Sequence, residues 1–186
     1  MEQAFPVFTT NRLQFRQLQP NDVPKVYELF SDKDIVRFDG GRTMGSINEA
    51  FQFISVFSMY NPNSYIRWAV ESRETGEFIG TAGFHKLSSE ARRGEIGGEL
   101  LKKSWGAGIG KEALFGLTQF AFLNLGLNRI TAMISPKNLA AQKIVEKMGY
   151  LREGRLRDWE YWDGSYTDMD VFSLLARDWQ TKIKNH

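Results

Sequence analysis

The stretch from Glu95 to Leu114, EIGGELLKKSWGAGIGKEAL, constrains the fold of this chain more than any other. A strand-like run passes through Gly106, Gly108 and Gly110, and a helix follows at once. The backbone N–H groups that begin a helix have no partner inside it, and the helix dipole favours an anion beside them. Glycines let the chain turn tightly there and let phosphate oxygens approach the backbone. Lys102, Lys103 and Lys111 flank the loop and add positive charge. Three glycines before a helix are, by themselves, more often a turn than a site. No Gly-Lys-Ser/Thr ends the loop as in a Walker A motif, and no βαβ unit with a ribose-binding acid follows at the usual spacing. The ligand must therefore be read from the rest of the chain.

Along that chain, Leu13, Phe15 and Leu18 in NRLQFRQL read as a first strand. Asn21 or Asp22 is placed to cap a helix carrying Val26, Leu29 and Phe30. Asp39-Gly40-Gly41 is a flexible break. Ser46 heads a capping-box pattern, S-I-N-E, before a helix with Ala50, Phe51, Ile54 and Phe57 on one face. Asn61-Pro62-Asn63 ends it. Strands are expected over Tyr65–Glu71, Phe78–Leu87 and Gly94–Leu101 as an antiparallel meander. A helix over Glu112–Leu123, a strand over Arg129–Ile134 and a helix over Asn138–Met148 capped by Gly149 come next. Tyr150–Trp162, an Asp163-Gly164 turn and Ser165–Leu175 make a terminal hairpin. The phenylalanines 51, 53, 57, 115, 120 and 122 read as helix packing residues. The expected fold is α+β, with a mixed, mostly antiparallel sheet.

At 186 residues and 42% hydrophobic, the chain can bury one core, so residues 1–186 form one domain. Its 24 basic and 22 acidic side chains show no basic stripe, which argues against direct nucleic-acid binding. With no cysteine and only His85 and His186, no metal site is expected. The first ten residues lack a signal-peptide pattern, and no apolar run approaches the ~20 residues of a membrane span. A cytoplasmic protein without membrane contact is expected.

The ordered motifs resemble the GNAT superfamily of N-acetyltransferases, and within it the group that includes the ribosomal-protein N-terminal acetyltransferases. That family's cofactor motif is Q/R-x-x-G-x-G/A; here Trp105-Gly106-Ala107-Gly108-Ile109-Gly110 fills the frame, with Trp105 at the Gln/Arg position. NRLQFRQL is similar to the T-x-R-L-x-L-R opening, ETGEFIGTAGFH to the turn and third strand, and RRGEIGGEL to the fourth. NLAAQKIVEKMGYLREGRLRD is similar to the N-x-x-S…G-F-x-x-E-G segment. The resemblance spans roughly Thr10 to Ala176. It implies a three-layer fold with a splayed sheet flanked by helices, and acetyl-CoA as co-substrate without a metal. Pantetheine would lie in the splay, facing Leu100 and Lys102. Trp105, Gly106, Ala107, Gly108, Ile109, Gly110 and Lys111 would cradle the pyrophosphate, and Asn138 would contact the pantetheine arm. Gly97-Gly98 would form the bulge where the strands part.

Acetyl transfer from a thioester needs a neutral amine, a polarised carbonyl and a proton for the thiolate. Backbone N–H groups can polarise the carbonyl, and direct transfer needs no protein nucleophile. Glu160, before the Asp163-Gly164 turn, leads the candidates for the base, because some relatives place such a glutamate there. Glu99 and Glu95 follow; alternation puts both on one face, unless the bulge breaks the parity. Against each stands a solvated or paired surface acid. The family's serine three residues after the asparagine is Ala141 here, so no proton donor is assigned, and Tyr150 sits at an apolar position. A thiolate with a pKa about 8.5 can take its proton from solvent. His85 reads as a strand-end histidine with a local bond rather than an acid-base group. Trp159, Tyr161 and Trp162 divide between core and an acceptor channel.

An α-amine, pKa about 7.7–8.0, is far cheaper to deprotonate at pH 7 than a lysine-like amine near about 10.4. A peptide or protein N-terminus, such as that of a ribosomal protein, is therefore the expected acceptor. A polyamine would want the acids Asp158, Glu160, Asp163, Asp168 and Asp170 as a cluster, although a solvated hairpin explains them too. Antibiotics and small metabolites are further acceptors that relatives use. A non-catalytic acetyl-CoA-binding module and a nucleotide-binding protein are the rival classes. Monomer and homodimer both stay open.

Overall fold

The computed structural model describes residues 4–59, 61, 63–162 and 164–184, and of 182–184 the backbone only. Two short strands open the chain, β1 (Phe8–Thr9) and β2 (Leu13–Gln17). Helices α1 (Val23–Ser31), α2 (Lys33–Val36) and α3 (Ile47–Phe57) follow. The meander is β3 (Ile66–Ser72), β4 (Phe78–Ser88) and β5 (Arg93–Leu100). Then come α4 (Ile109–Leu123), β6 (Arg129–Ile134) and α5 (Leu139–Met148). The hairpin β7 (Leu151–Trp162) and β8 (Ser165–Leu175) leads into α6 (Ala176–Lys184). Among the described residues the strands form one sheet in the order β1-β2-β3-β4-β5-β6-β8-β7.

Every neighbouring pair is antiparallel except β5 and β6, which run parallel and touch only from Arg93↔Arg129 to Glu95↔Thr131. Beyond that point β5 stays with β4 as far as Gly80↔Leu100, while β6 stays with β8 as far as Ile134↔Asp170. Each strand follows its outer neighbour, and the sheet splays open between them. The mixed, splayed α+β sheet is the one expected.

Alternation along β3 divides the core in two. Ile66, Trp68 and Val70 join Leu13, Phe15, Phe120, Val145 and Trp179 on the face covered by α4, α5 and α6. Ala69 faces the other way, into Val26, Leu29, Ala50 and Ile54 from α1 and α3. Three layers result. Trp68 is fully buried among Phe8, Phe84 and Phe120, edge-on at 5.2–6.3 Å, and its indole N–H donates to the Pro6 carbonyl at 2.8 Å. Buried aromatics of this size dominate core energetics, and the satisfied N–H removes the cost of burying it.

Several expectations need correction. Asp22 does not cap α1: its buried carboxylate takes two bonds from Arg16 at 2.7 Å and one from the Gln19 N–H at 2.8 Å. Ser46 does cap α3, but Glu49 reaches back to the Gly45 N–H rather than to Ser46, so the box is shifted by one residue. Phe51 and Phe115 are 52% and 41% exposed, although Phe115 rests on Trp179 at 5.3 Å. Helix α4 starts at Ile109, three residues before Glu112, so Gly110 lies inside its first turn. No bulge interrupts Gly97-Gly98, where the β4–β5 register is continuous. A β-carbon on Gly98 would lie 2.7 Å from that of Ala82 and 2.8 Å from the Thr81 carbonyl, so glycine here permits close strand approach rather than an extra residue. The short elements β1, α2 and α6 are additions. Pro62 and Asp163, in the two expected turns, lie outside the described residues, while Gly164 has the positive φ of 78° that a tight turn requires.

Candidate active site

The splay leaves backbone groups free along one edge of β5. The Leu101 N–H donates to the Ile79 carbonyl at 2.8 Å, so Leu101, Glu99 and Gly97 turn their backbone groups toward β4. Alternation then turns those of Leu100, Gly98 and Ile96 into the gap. The Trp105 indole N–H caps the Leu100 carbonyl at 2.9 Å from that side.

The chain continues through a 3-10 turn, Lys102–Ser104, into Gly106 and Gly108, with φ of 76° and 77°. In α4 the first N–H with an intrahelical acceptor is that of Glu112, which bonds the Gly108 carbonyl at 3.1 Å. Those of Ile109, Gly110 and Lys111 are left pointing outward, as an anion site requires. Arg12 and Glu112 hold this loop in place. Glu112 accepts from the Thr10 hydroxyl at 2.6 Å, the Arg12 N–H at 2.7 Å and Arg12 Nε at 2.6 Å. Arg12 Nη1 donates in turn to the Ala107 carbonyl at 3.0 Å. Burial pushes the Glu112 carboxyl up, but the bonds from Thr10 and Arg12 outweigh it and hold it below the ordinary value. Of the flanking lysines, Lys102 is held by Asp32 at 2.9 Å and Asp34 at 2.5 Å, and Lys103 by Glu77. Lys111 has no carboxylate partner among the described residues.

Across the gap, Asn138 caps α5: its Oδ1 accepts the Ala141 N–H at 3.1 Å, which leaves its amide N–H groups available. Tyr150 is buried and bonded to the Thr118 hydroxyl at 3.1 Å, and burial pushes its phenol well above the usual range. It belongs to the core, as expected.

The chemically unusual group is Glu99. Unbroken register puts Glu99, Gly97 and Glu95 on one face with Thr81, Gly83 and His85. This is the face of Arg67 and the helices α1 and α3. Glu99 is only 9% exposed. It accepts from Arg67 Nη2 and lies 3.2 Å from the Thr81 hydroxyl, while Arg67 Nε donates to that hydroxyl at 3.0 Å. Phe30, Phe53 and Phe57 surround the guanidinium at 5.4–5.9 Å. Burial pushes the Glu99 carboxyl up to about 7, against the pull of Arg67 and with help from the negative charge of Asp39. Glu95 goes the other way: the bond from His85, at 3.2 Å, and from Lys86, at 3.1 Å, keep it ionised and weakly basic. The local bond expected of His85 is thus present.

Glu160 is half-buried opposite Thr167, just beyond an irregularity in β7 where Asp158 has a φ of 49°. Alternation places it on the side of Trp162, whose Nε1 lies 3.8 Å from the position of a β-carbon on Gly40. The hairpin therefore leans on the Asp39–Gly41 turn, and the charge of Asp39 acts on Glu99. Trp159 and Tyr161 point to the exposed side instead, 51% and 61% accessible. The hairpin acids do not pool their charge: Asp170 is drawn down to about 2, first by Arg155 and then by Arg152, and Asp168 caps the Asp158 N–H at 3.0 Å.

Arg12, Arg67 and Asp39 are the residues that the motif reading passes over. Arg12 stands at the arginine of the T-x-R-L opening, a signal that could have singled it out. Arg67 and Asp39 carry no local signal.

Residues 12–151 match the family model described as an acetyltransferase (GNAT) domain. The chain is 37% identical over 172 residues to the uncharacterized N-acetyltransferase YoaA of Bacillus subtilis, covering 92% of this chain and 97% of that protein. It is 34% identical over 105 residues to YdaF of the same organism, whose name proposes ribosomal N-acetylation, covering 56% of this chain and 57% of that one. Its fold superposes, with a TM-score of 0.82 and 19% identity, on a spermidine N-acetyltransferase from Vibrio cholerae solved with CoA and spermine, covering 92% of this chain and 99% of that one. Splay, glycine loop and family match agree, and the chain belongs to the GNAT acetyltransferase family as an acetyl-CoA-dependent N-acetyltransferase.

Proposed function

We propose that this enzyme acetylates the α-amine at a peptide or protein N-terminus, with Glu99 as the base. The observation that carries the reading is the buried Glu99 carboxyl on the strand beside the splay, held by Arg67 and the Thr81 hydroxyl, which burial pushes up to about 7. A base is most useful when its pKa lies near the working pH. At pH 7 an α-amine costs about 1.2 kcal/mol to deprotonate and a lysine-like amine about 4.6, so such a carboxylate suits the first.

The residues present fit the co-substrate. Gly106 has open space around it, and Arg12 Nη2 lies 3.6 Å from the position of a β-carbon on Gly108. The outward amides of Ile109, Gly110 and Lys111, with Trp105, Ala107 and the Lys111 ammonium, bind the pyrophosphate. The gap-facing backbone of Gly98 and the Leu100 N–H, with Lys102 at the turn, would hold the pantetheine, and the Asn138 amide would steady it. When bound, the co-substrate supplies the activated acetyl group. Glu99 removes the amine proton and the backbone amides on β5 polarise the carbonyl; solvent protonates the departing thiolate, since Ala141 cannot. Glu160 and Trp162 line the acceptor entrance. A ribosomal-protein N-terminus is an acceptor of the proposed class, which the partial likeness to YdaF supports.

Charge pairing argues against a polyamine. Arg67 already opposes Glu99, and two arginines oppose Asp170, so a polycation would meet cations beside the acids. A short peptide with a free α-amine is expected to show a kcat/KM at least roughly tenfold above that of spermidine, in line with the deprotonation difference. A higher value for spermidine would overturn the assignment.

A further inference from the structure

The turn 39–41 continues into an open cleft of about 460 Å³, lined by Lys33, Arg37, Gly41, Arg42 and Thr43. Three of its five lining residues are cations and none is an acid. Their charges are poorly spent elsewhere. Lys33 is exposed and has no ion pair among the described residues. Arg37 approaches Asp34 only to 4.0 Å, and Asp34 is held by Lys102 at 2.5 Å. Arg37 also stacks on the Phe38 ring at 4.7 Å, which orients its guanidinium without neutralising it. Arg42 is 85% exposed and reaches Glu49 at 3.5 Å, a carboxylate whose other oxygen accepts the Gly45 N–H. A cleft with one sign of charge raises the local concentration of the opposite sign and orients what enters it.

Its place sets what that ligand is. Gly41 walls the cleft, Gly40 abuts Trp162, and Asp39 is near enough to Glu99 for its charge to act on that carboxyl, so the turn 39–41 lies between the cleft and the buried acid. An extended peptide advances about 3.3–3.6 Å per residue. With its α-amine at Glu99, its side chains a few positions downstream come to the cleft.

We infer that the Lys33–Arg37–Arg42 cleft binds acidic side chains just downstream of the acceptor's α-amine, which makes acidic N-terminal segments the preferred substrates. This rests on the α-amine reading above and adds its sequence preference. Arginine suits the task because its planar fork meets carboxylates in two parallel bonds.

The test compares two peptides with the same first two residues, one carrying Asp and Glu at positions 3 to 6 and the other Asn and Gln. Binding is read by fluorescence anisotropy on enzyme loaded with coenzyme A, and turnover by kcat/KM. Wild-type enzyme is expected to favour the acidic peptide roughly tenfold at low salt, the sum of a few exposed ion pairs. The preference shrinks as salt rises. The double variant Arg37→Glu, Arg42→Glu should lose or invert it, with the melting temperature as the folding control and the KM for acetyl-CoA unchanged. Equal treatment of both peptides by the wild type overturns the cleft and leaves the α-amine reading standing. A double variant whose main defect is in the KM for acetyl-CoA also overturns it, assigning the cations to the cofactor's phosphates. Charge-dependent binding of an acidic peptide that is never acetylated supports the cleft and overturns the α-amine reading.

Discussion

Glu99→Gln should lower kcat/KM roughly 10²–10³-fold, the range for loss of a general base, and remove the component near 7 from its pH profile. The Glu99 carboxyl titrates at about 7, raised from 4.5 by burial first. As a base it works only when ionised, so wild-type activity should climb as pH rises through about 7. The glutamine keeps the shape and an acceptor for Arg67 but has no proton to lose, so the component at about 7 disappears and only the rise from the amine's own titration, at about 7.7–8.0, remains. Folding stability offers an independent readout. A carboxyl whose pKa is higher folded than unfolded binds more protons in the native state between the two values, so its linkage makes stability fall as pH rises from about 4.5 to 7. The Gln variant should lack that component. Glu160→Gln is the counterpart: it should change KM for the acceptor more than the pH component near 7. Should Glu160→Gln remove that component and Glu99→Gln preserve it, the base is Glu160.

The second large effect is structural. Gly83→Ala should destabilise the fold by about 3 kcal/mol, the upper end of ordinary overpacking, and lower Tm by about 6–12 °C. A β-carbon at Gly83 would stand 2.1 Å from the Ile66 carbonyl oxygen and 2.7 Å from the Arg67 Cα. Both are backbone atoms of the paired strand β3, so no side chain can swing aside. The strands must separate where Arg67 is held over Glu99, and activity should fall with stability. Gly154→Ala is the control, because a β-carbon there meets nothing within 4 Å and the backbone φ is not positive. Thermal unfolding of the two variants side by side checks this, and equal melting temperatures would contradict it.

The reach of sequence reasoning here follows from what is local. The bounds expected for β6 and for the hairpin strand Ser165–Leu175, which an Asp-Gly turn sets off, agree with the structure to the residue. Gly149 took the left-handed conformation, φ 93°, that its place after α5 predicted. Expectations drifted where a tertiary partner competes with a local one. Asp22 has the composition of a cap, yet Arg16 across the turn offers a charged bond worth more than a neutral N–H. Gly97-Gly98 resembles a bulge until the strand beside it is known. The loop anchor joins Arg12 to a glutamate 100 residues away, and Glu99, the proposed base, sits beside an arginine 32 residues away. No window of sequence contains either pair. Only the family resemblance, through T-x-R-L, points toward the first. Glu99 drew attention as one acid on the right strand, whereas its burial, its shared partners and its raised pKa are properties of the assembled sheet.

The central claim is direct acetyl transfer from acetyl-CoA to an α-amine. It is tested most directly by following free thiol released from acetyl-CoA as peptides with free N-termini are added, with mass spectrometry locating the acetyl group. Peptide-dependent release is expected at neutral pH, with one acetyl group on the α-amine and no release with the N-terminally blocked peptide. Acetyl-CoA that binds while no amine raises thiol release above buffer would contradict it.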